Sequence, residues 1–313
     1  MSKIIISGST AYDNIMYSNS NIKNHLVEKK IWNVNLSYVI SDLKEEVWWT
    51  WLNISYNLSL LWTEPILFSS IWNDFTFSDF IKENVDLGYV NVSKDKLTSR
   101  SYITNDSSNN QVTAFYPWSM SDTCDITKLK NNESVEYSIV SANNVNSMKQ
   151  HLEFLSNKWV KTLFDPGQQI TQMTKSDLEY CFKYSNYIIL NEYEYEVIKK
   201  ISEKSDWEMI DSFDYMVLTY WVKGSKIFDR NYNILEVHWV ENPDFKDPTW
   251  AWDAYRAWLL KGLNDWYDWE TSARIWAVLS SISTSKYWAQ NHVIDWKKFS
   301  KLYEQTFWDS LEK

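Results

Sequence analysis

Glycine is nearly missing from this sequence: it supplies 5 of 313 residues, where an ordinary soluble protein of that length carries roughly twenty. Tight turns, left-handed helix ends and close backbone approaches therefore have almost no residue suited to them. Proline is equally scarce, at 5, and no low-complexity linker or internal repeat divides the chain. The two cysteines, Cys124 and Cys181, lie far apart without CxxC spacing. That argues against a disulfide framework or a zinc site. Each reads as a plain thiol, Cys181 in a helical segment and Cys124 in a polar loop. The four histidines (His25, His151, His238 and His292) show no ligand spacing. No apolar stretch approaches a membrane span, and the Met-Ser-Lys start lacks a signal-peptide core. We expect a cytoplasmic protein with no membrane partner. Basic residues fall short of acidic ones, giving a net charge of −10, and no Lys/Arg run exceeds two. A nucleic-acid partner is not expected. An anionic substrate would need help from backbone amides, a metal ion or a single Arg.

What the chain does have is tryptophan, 20 of them. Together the Trp and Gly counts come close to the usual glycine share. The Trp also sit where the smallest residue is wanted: Trp48-Trp49-Thr50-Trp51, Leu61-Trp62, Trp72-Asn73-Asp74, and Asp247-Pro248-Thr249-Trp250-Ala251-Trp252-Asp253. We read most of them as positions where glycine is the working residue. A UGA codon read as glycine in some bacterial lineages, and as Trp under another code, would give this pattern. UGG codons at Trp250 and Trp252 would refute it, leaving a truly Trp-rich protein. The hydrophobic share of 44% is inflated by the surplus Trp and discriminates little.

The chain is long enough for one large α/β domain with an appendage, or for two domains. Lys3–Ser7 reads as a buried strand and 34–40 as a half-exposed one. A helix is predicted at 52–61, a strand at 66–71 and a helix at 75–84. Segments 98–104 and 111–116 form a hairpin around a polar turn. Strand and helix then alternate: strands 137–142, 160–164, 187–190 and 216–219, with helices 147–157, 175–184, 192–200 and 207–212. This alternation predicts a mostly parallel sheet with helices on both faces. Strands 225–229 and 235–240 make an antiparallel edge, and helices 254–263, 270–283 and 295–311 finish the chain. Strands 34–40 and 98–116 fall outside the alternation and predict a small β lid. The expected organisation is one domain over 1–313, with a lid subdomain near 10–46 and 95–120 and an α/β core from the remainder.

With glycine restored, the segment 247–253 reads Asp-Pro-Thr-Gly-Ala-Gly-Asp and opens a helix. Small residues there let consecutive backbone N–H groups converge on one point, aided by the positive end of the helix dipole. Asp253 stands beside that point. It can take the proton of an attacking hydroxyl while the amides of Trp250, Ala251 and Trp252 hold charge developing on a phosphoryl group. The alternative is that Asp253 is only a helix N-cap.

Over nearly its whole length the chain resembles the PfkB (ribokinase-like) carbohydrate kinases. One family motif is a Gly-Gly pair, an Asn-bearing helix, Leu-Gly and then Gly-x-Asp. It corresponds to Trp48-Trp49, Asn53, Leu61-Trp62 and Trp72-Asn73-Asp74. The other is the 247–253 segment, with Pro248 as an extra residue. Within the family it looks most like bacterial adenosine kinases. The carrying residues are Gly8-Ser9-Thr10-Ala11-Tyr12-Asp13, the string from Asn110 to Met120, and Asp165-Pro166-Gly167-Gln168-Gln169.

The resemblance implies a ribokinase-like fold and ATP-dependent phosphorylation of the 5′-hydroxyl of a nucleoside, adenosine to AMP, with ATP and Mg2+ as cofactors. Asp253 would be the base. Asp13 and Asn53 would grip the ribose hydroxyls over a close backbone floor at Trp48 and Trp49. Ser9, Phe115, Gln168 and Gln169 would border the nucleoside. Asn191 and Glu194 match the Asn-x-x-Glu motif that organises Mg2+, largely through water, although acidic residues also open helices for dipole reasons. Thr219, Trp221 and Gly224 would lie in the loop beneath ATP, Arg256 would touch a phosphate or lie solvated at the surface, and Gln290 would belong to a loop near the adenine. Alternatives are a sugar kinase acting on ribose, fructose or a sugar phosphate, and a non-catalytic nucleoside-binding relative. The protein would be a monomer or a homodimer joined through lid edges.

Overall fold

The structure, a computed structural model, describes residues 3–22, 37–46, 50–95, 97–108, 111–122, 124–130, 133–220, 223–242, 251–285 and 292–308. An eight-stranded sheet runs through it. From one edge its strands are β4 (Glu64–Phe68), β1 (Lys3–Ser7), β9 (Val135–Ser141), β10 (Lys161–Asp165), β11 (Tyr187–Asn191), β12 (Tyr215–Thr219), β13 (Ser225–Asp229) and β14 (Ile234–Val237). Every pairing from β4 to β12 is parallel, and the last two are antiparallel. β1 contains three successive Ile, all with no exposure. A parallel strand covered on both faces needs such an unbroken apolar run.

Alternate residues feed opposite cores. Ile4, Ile6, Leu163 and Ile189 pack with helices α1 (Thr50–Leu60), α2 (Asp79–Asn84), α7 (Ala251–Asn264), α8 (Trp269–Ser283) and α9 (Trp296–Phe307). Ile5, Phe164, Ile188 and Leu190 pack with α3 (Val145–Asn157), α4 (Lys175–Lys183), α5 (Glu192–Ser202) and α6 (Asp206–Asp211). Each fully buried Ile or Phe contributes roughly 1.5–3 kcal/mol, so the double-faced sheet is the rigid part on which a site can be hung.

A second sheet has four strands, in the order β3 (Asp42–Glu46), β2 (Ala11–Ser18), β7 (Ser99–Asp106) and β8 (Gln111–Tyr116). A third pairs β5 (Ser70–Ile71) with β6 (Asn91–Val92). Several sequence expectations need correction here. Residues 37–40 are not a strand; the strand of this region is β3, whose Asp-Leu-Lys-Glu-Glu sequence carries no alternating apolar signal. Residues 34–36 lie outside the described residues. The helix expected at 75–84 begins only at Asp79, because the Ser78 side chain accepts from the Ile81 N–H and caps it there. The strand expected at 66–71 is divided between two sheets.

Among the described residues six non-glycine positions have positive φ, and four are Trp: Trp62 at 55°, Trp159 at 62°, Trp266 at 68° and Trp308 at 56°. Each stands just past a helix. The Trp62 and Thr63 amides donate back to Ser59 and Leu58, those of Trp159 and Val160 to Ser156 and Leu155, and those of Trp266 and Tyr267 to Leu263 and Gly262. This is the paired closure that glycine normally provides at a helix end. The four side chains are 63%, 92%, 83% and 91% exposed, so their packing returns little.

Inside, the indole N–H groups of Trp258 and Trp276 are buried without a hydrogen-bond partner. The Tyr255 and Trp276 ring centroids lie only 3.4 Å apart, closer than the usual ~4.5–7 Å for aromatic pairs.

We expect Trp62→Gly, Trp159→Gly, Trp266→Gly and Trp308→Gly each to stabilise the fold by about 1 kcal/mol, the cost of a left-handed L-residue. Trp62→Gly should gain least, because Trp62 stacks on Trp296 with centroids 5.4 Å apart. The gains should add, since the sites lie on separate helices. Thermal unfolding checks this: each change should raise the midpoint by roughly 2 °C, and a fall at all four would contradict it.

Candidate active site

Three adjacent parallel strands end in polar residues at the same edge of the large sheet. Asp165 closes β10, Asn191 closes β11 and Thr219 closes β12, with Asn191 and Thr219 directly paired. Open parallel sheets bind ligands at such carboxyl ends. Helix α7 starts at Ala251, so the amides of Ala251 and Trp252 are first-turn donors with no acceptor inside the helix. Asp253 lies in this turn, 7% exposed. Its Oδ2 accepts from Asn53 Nδ2 at 2.8 Å, which ties α7 to α1. Burial pushes the Asp253 carboxyl up to about 6, opposed by the Arg256 charge and by hydrogen bonds from Asn53 and Thr50. A carboxylate near 6 is ionised at neutral pH yet basic enough to receive a proton.

Arg256 is neither solvated nor free. Its Nε and Nη2 donate to Asp165 Oδ2 and Oδ1 at 2.7 and 2.9 Å, and its Nη1 donates to the Trp252 carbonyl at 2.9 Å. Sequence reasoning quoted Asp165 only as part of a string. Its place at the end of a parallel strand was the signal that could have singled it out.

Asn191 and Glu194 form a reciprocal cap on α5. Asn191 Oδ1 accepts from the Glu194 N–H at 2.8 Å, and Glu194 Oε2 accepts from the Asn191 N–H at 2.9 Å. The motif therefore has a structural task of its own. Glu194 is buried, and that burial, with the Asp165 charge nearby, raises its carboxyl. Among the described residues no group of three or more His, Cys, Asp or Glu could hold a metal ion. Mg2+ needs none: it keeps several waters and takes one or two carboxylates plus substrate phosphates. Glu194 fits that role.

Beyond β12, the Tyr220 N–H donates to the Gly224 carbonyl at 2.8 Å. Gly224 has φ of 91°, and a Cβ there would lie 2.0 Å from the Val237 carbonyl oxygen. The turn admits glycine alone. Beside it lies a cavity of about 660 Å³ lined by Tyr220, Lys223, Lys226, Glu236 and His238, among others. That volume suits a small ligand; its charged lining is balanced, with Lys223 and Lys226 set against Glu192 and Glu236, and Lys226 pairs with Glu236 at 2.7 Å.

The small sheet carries a second group. Asp13 on β2 pairs with Ser101 on β7, which pairs with Phe115 on β8, so the three lie in one row across one face. Desolvation pushes the Asp13 carboxyl up to about 7, offset in part by a hydrogen bond to Ser101. Arg100 is bound to Glu45 at 2.7 Å and Asp74 at 3.2 Å, with its guanidinium 4.7 Å over the Tyr12 ring.

Between the groups stand Ser9 and Trp51. The Ser9 hydroxyl donates to the Ala142 carbonyl at 2.9 Å, and the Ser9 carbonyl accepts from the Trp51 indole N–H. That indole is fully buried and presses on Gly8, where a Cβ would meet it at 2.9 Å. Gln168 is exposed and Gln169 half-buried, in the 3₁₀ turn after Asp165. Trp48, Trp49, Trp221, Trp250 and Gln290 lie outside the described residues.

Both cysteines are buried thiols, pushed up by burial to about 11 for Cys124 and about 12 for Cys181, as expected of inert groups. Among the described residues no helix is long and apolar enough to cross a membrane.

One pH effect follows at Asp13. Its folded-state value lies above that of a free carboxyl, so it is protonated at pH 6 and ionised above about 7. The carboxylate accepts at both oxygens and more strongly than the acid, which turns one oxygen into a donor. If Asp13 grips a polyol, affinity should improve as pH rises through about 7. Calorimetric titration would show this, and an Asp13→Asn variant should abolish the dependence. Stability has the opposite sign: the raised value favours the folded state at low pH and fades as pH rises towards 7.

No family model matches the chain. It is similar to the nucleoside kinase of Methanocaldococcus jannaschii, 25% identical over 97% of this chain and 98% of that one. Among solved structures, Burkholderia thailandensis nucleoside kinase in complex with inosine superposes with a TM-score of 0.85, 25% identity and coverage of 98% and 99%. The M. jannaschii nucleoside kinase structure, described as an archaeal member of the ribokinase family, gives 0.80 at 22% identity, covering 97% and 99%. Arabidopsis thaliana ribokinase with ribose and ATP gives 0.78 at 12%, covering 97% and 99%, a likeness of fold.

Proposed function

We propose that this chain, which belongs to the ribokinase-like (PfkB) kinases and is an ATP-dependent phosphotransferase, phosphorylates the 5′-hydroxyl of a nucleoside, with adenosine to AMP as the leading reaction. The observation that carries the reading is Asp253: a buried carboxylate near 6, held by Asn53 at the donor-rich start of α7. The nucleoside sits between the lid row of Asp13, Ser101 and Phe115 and the turn bearing Gln168 and Gln169. Asp13 and Asn53 take ribose hydroxyls, and Phe115 offers a ring for the base. Asp253 removes the 5′-hydroxyl proton as the oxygen bonds to the γ-phosphorus and the bond to the β-phosphate oxygen breaks. The α7 amides steady the charge in flight. ATP lies along Thr219 to Gly224 and into the 660 Å³ cavity. Mg2+, when bound, neutralises the phosphates, and Glu194 with Asn191 would hold its waters.

A nucleoside is favoured over a sugar phosphate because Arg100, next to Ser101 of the lid row, is already committed to Glu45 and Asp74. The related kinases that bear the name nucleoside kinase, one of them holding inosine, support the same choice. The test is a panel with ATP and Mg2+: adenosine, inosine, other nucleosides, ribose and fructose 6-phosphate. We expect ADP release with purine nucleosides. Turnover confined to ribose or fructose 6-phosphate would replace this reading with a sugar kinase. No product from a glycine-bearing chain would favour a binding protein.

A further inference from the structure

Asp165 and Arg256 come from different elements, the end of β10 and the first turns of α7, yet the buried Asp165 and the partly buried Arg256 meet through two parallel hydrogen bonds of 2.7 and 2.9 Å. This is the fork-on-carboxylate geometry that fixes a guanidinium in one plane. The third nitrogen, Nη1, is then held 2.9 Å from the Trp252 carbonyl and 3.9 Å from Asp253 Oδ1. Arg256 thus stands among three carboxylates, Asp165, Asp253 and Glu194, all of which act on its charge. Resting on the reading of Asp253 as the base, we propose that Asp165 and Arg256 are positioning residues: Asp165 clamps the guanidinium, the clamped Nη1 holds the Asp253 carboxylate aimed beside the α7 amides, and the charge of Arg256 itself favours the ionised carboxylate. The same Asp165 opens the turn that carries Gln168 and Gln169, so the clamp ties the nucleoside side of the site to its base.

The groups facing Asp253 are Arg256 on its own helix, Asp165 from β10, and the donors Thr50 and Asn53 from α1; Glu194 from α5 faces Arg256. Removing either partner should therefore move Asp253 in opposite senses. Arg256→Met deletes the attracting charge and should shift the acid limb of kcat upward. Asp165→Asn deletes a repelling charge and frees the guanidinium, and should shift it downward. In both, kcat should fall on the order of 100-fold through lost aim, with KM for the nucleoside little changed. Arg256→Lys keeps charge without the fork, so it should restore the limb but not the rate. A pair that merely braces the fold would lower the unfolding midpoint and leave the limb in place.

The measurements use the full chain with glycine at 48, 49, 51, 72, 250 and 252. The Asp253 carboxyl is also followed by carbon NMR over about pH 4 to 8, which requires no turnover. Opposite shifts in the two variants support the proposal. Unmoved or same-direction shifts overturn it, as would a rise in KM for ATP alone, which would make Arg256 a phosphate contact. If the parent chain fails to phosphorylate nucleosides while the NMR shifts still oppose, the functional reading fails and the clamp stands.

Discussion

With glycine at positions 48, 49, 51, 72, 250 and 252, the chain should turn over a purine nucleoside, and the chain bearing Trp there should be slower by at least ~10³-fold. Loss of a single donor to a developing oxyanion already costs about 10²- to 10³-fold. Here bulk is added on two sides of the reacting centre. At α7, the half-buried Trp252 indole packs towards Tyr255 and Trp276, with centroids 5.6 and 6.1 Å away, in a helix start where the mechanism needs bare amides. At α1, the Trp51 indole covers the Ser9 carbonyl and crowds Gly8, two residues before Asn53. A nucleoside reaching Asn53 must use some of that room. An assay coupled to ADP release, run on both chains at matched folded concentration, decides the matter. Equal rates would mean that the indoles leave the path open and that the glycine reading is wrong.

Asp253→Asn should lower kcat by roughly 10³- to 10⁴-fold, at the upper end of general-base catalysis. The amide is nearly isosteric, so the hydrogen bond with Asn53 and the start of α7 should persist, and KM should stay within a few-fold. In the parent, kcat should rise with pH through about 6, the value to which burial lifts this carboxyl. The direction follows from the chemistry: the acid form cannot accept a proton, so activity is lost as pH falls. The variant should lose that limb along with its rate. A variant with wild-type kcat would reduce Asp253 to a helix cap.

Much of the fold could be read from the chain because its strongest signals are physical. The apolar runs of β1, β11 and β12 can only be strands covered twice, and helices between them force parallel pairing. The lid was harder. β3 is almost all charge, so no periodicity marks it, and its pairing with β2 is decided by tertiary neighbours. The start of α2 turned on one Ser78 hydroxyl. At the candidate site, Asp253 stood out from its own sequence context, whereas Asn53, Asp13 and Glu194 were reached only through the family resemblance, and their roles are those proposed above. The clamp was not legible, because Asp165 and Arg256 lie 91 positions apart and no local rule joins them. Of the two expectations for Arg256, a phosphate contact or a solvated position, the ion pair removes the second: a long side chain beside a buried carboxylate takes the partner that the fold supplies.

The left-handed helix ends have a consequence for handling the molecule. Trp159, Trp266 and Trp308 project flat, sticky rings into water, and Trp62 exposes the part of its ring not stacked on Trp296. Their rings will tend to bury against one another between particles, because exposed apolar surface favours association. Particle size measured on the Trp chain then reflects this adhesion as well as any contact along the lid. The glycine chain should give the smaller, better-defined particle, and its mass is the one that describes the working enzyme.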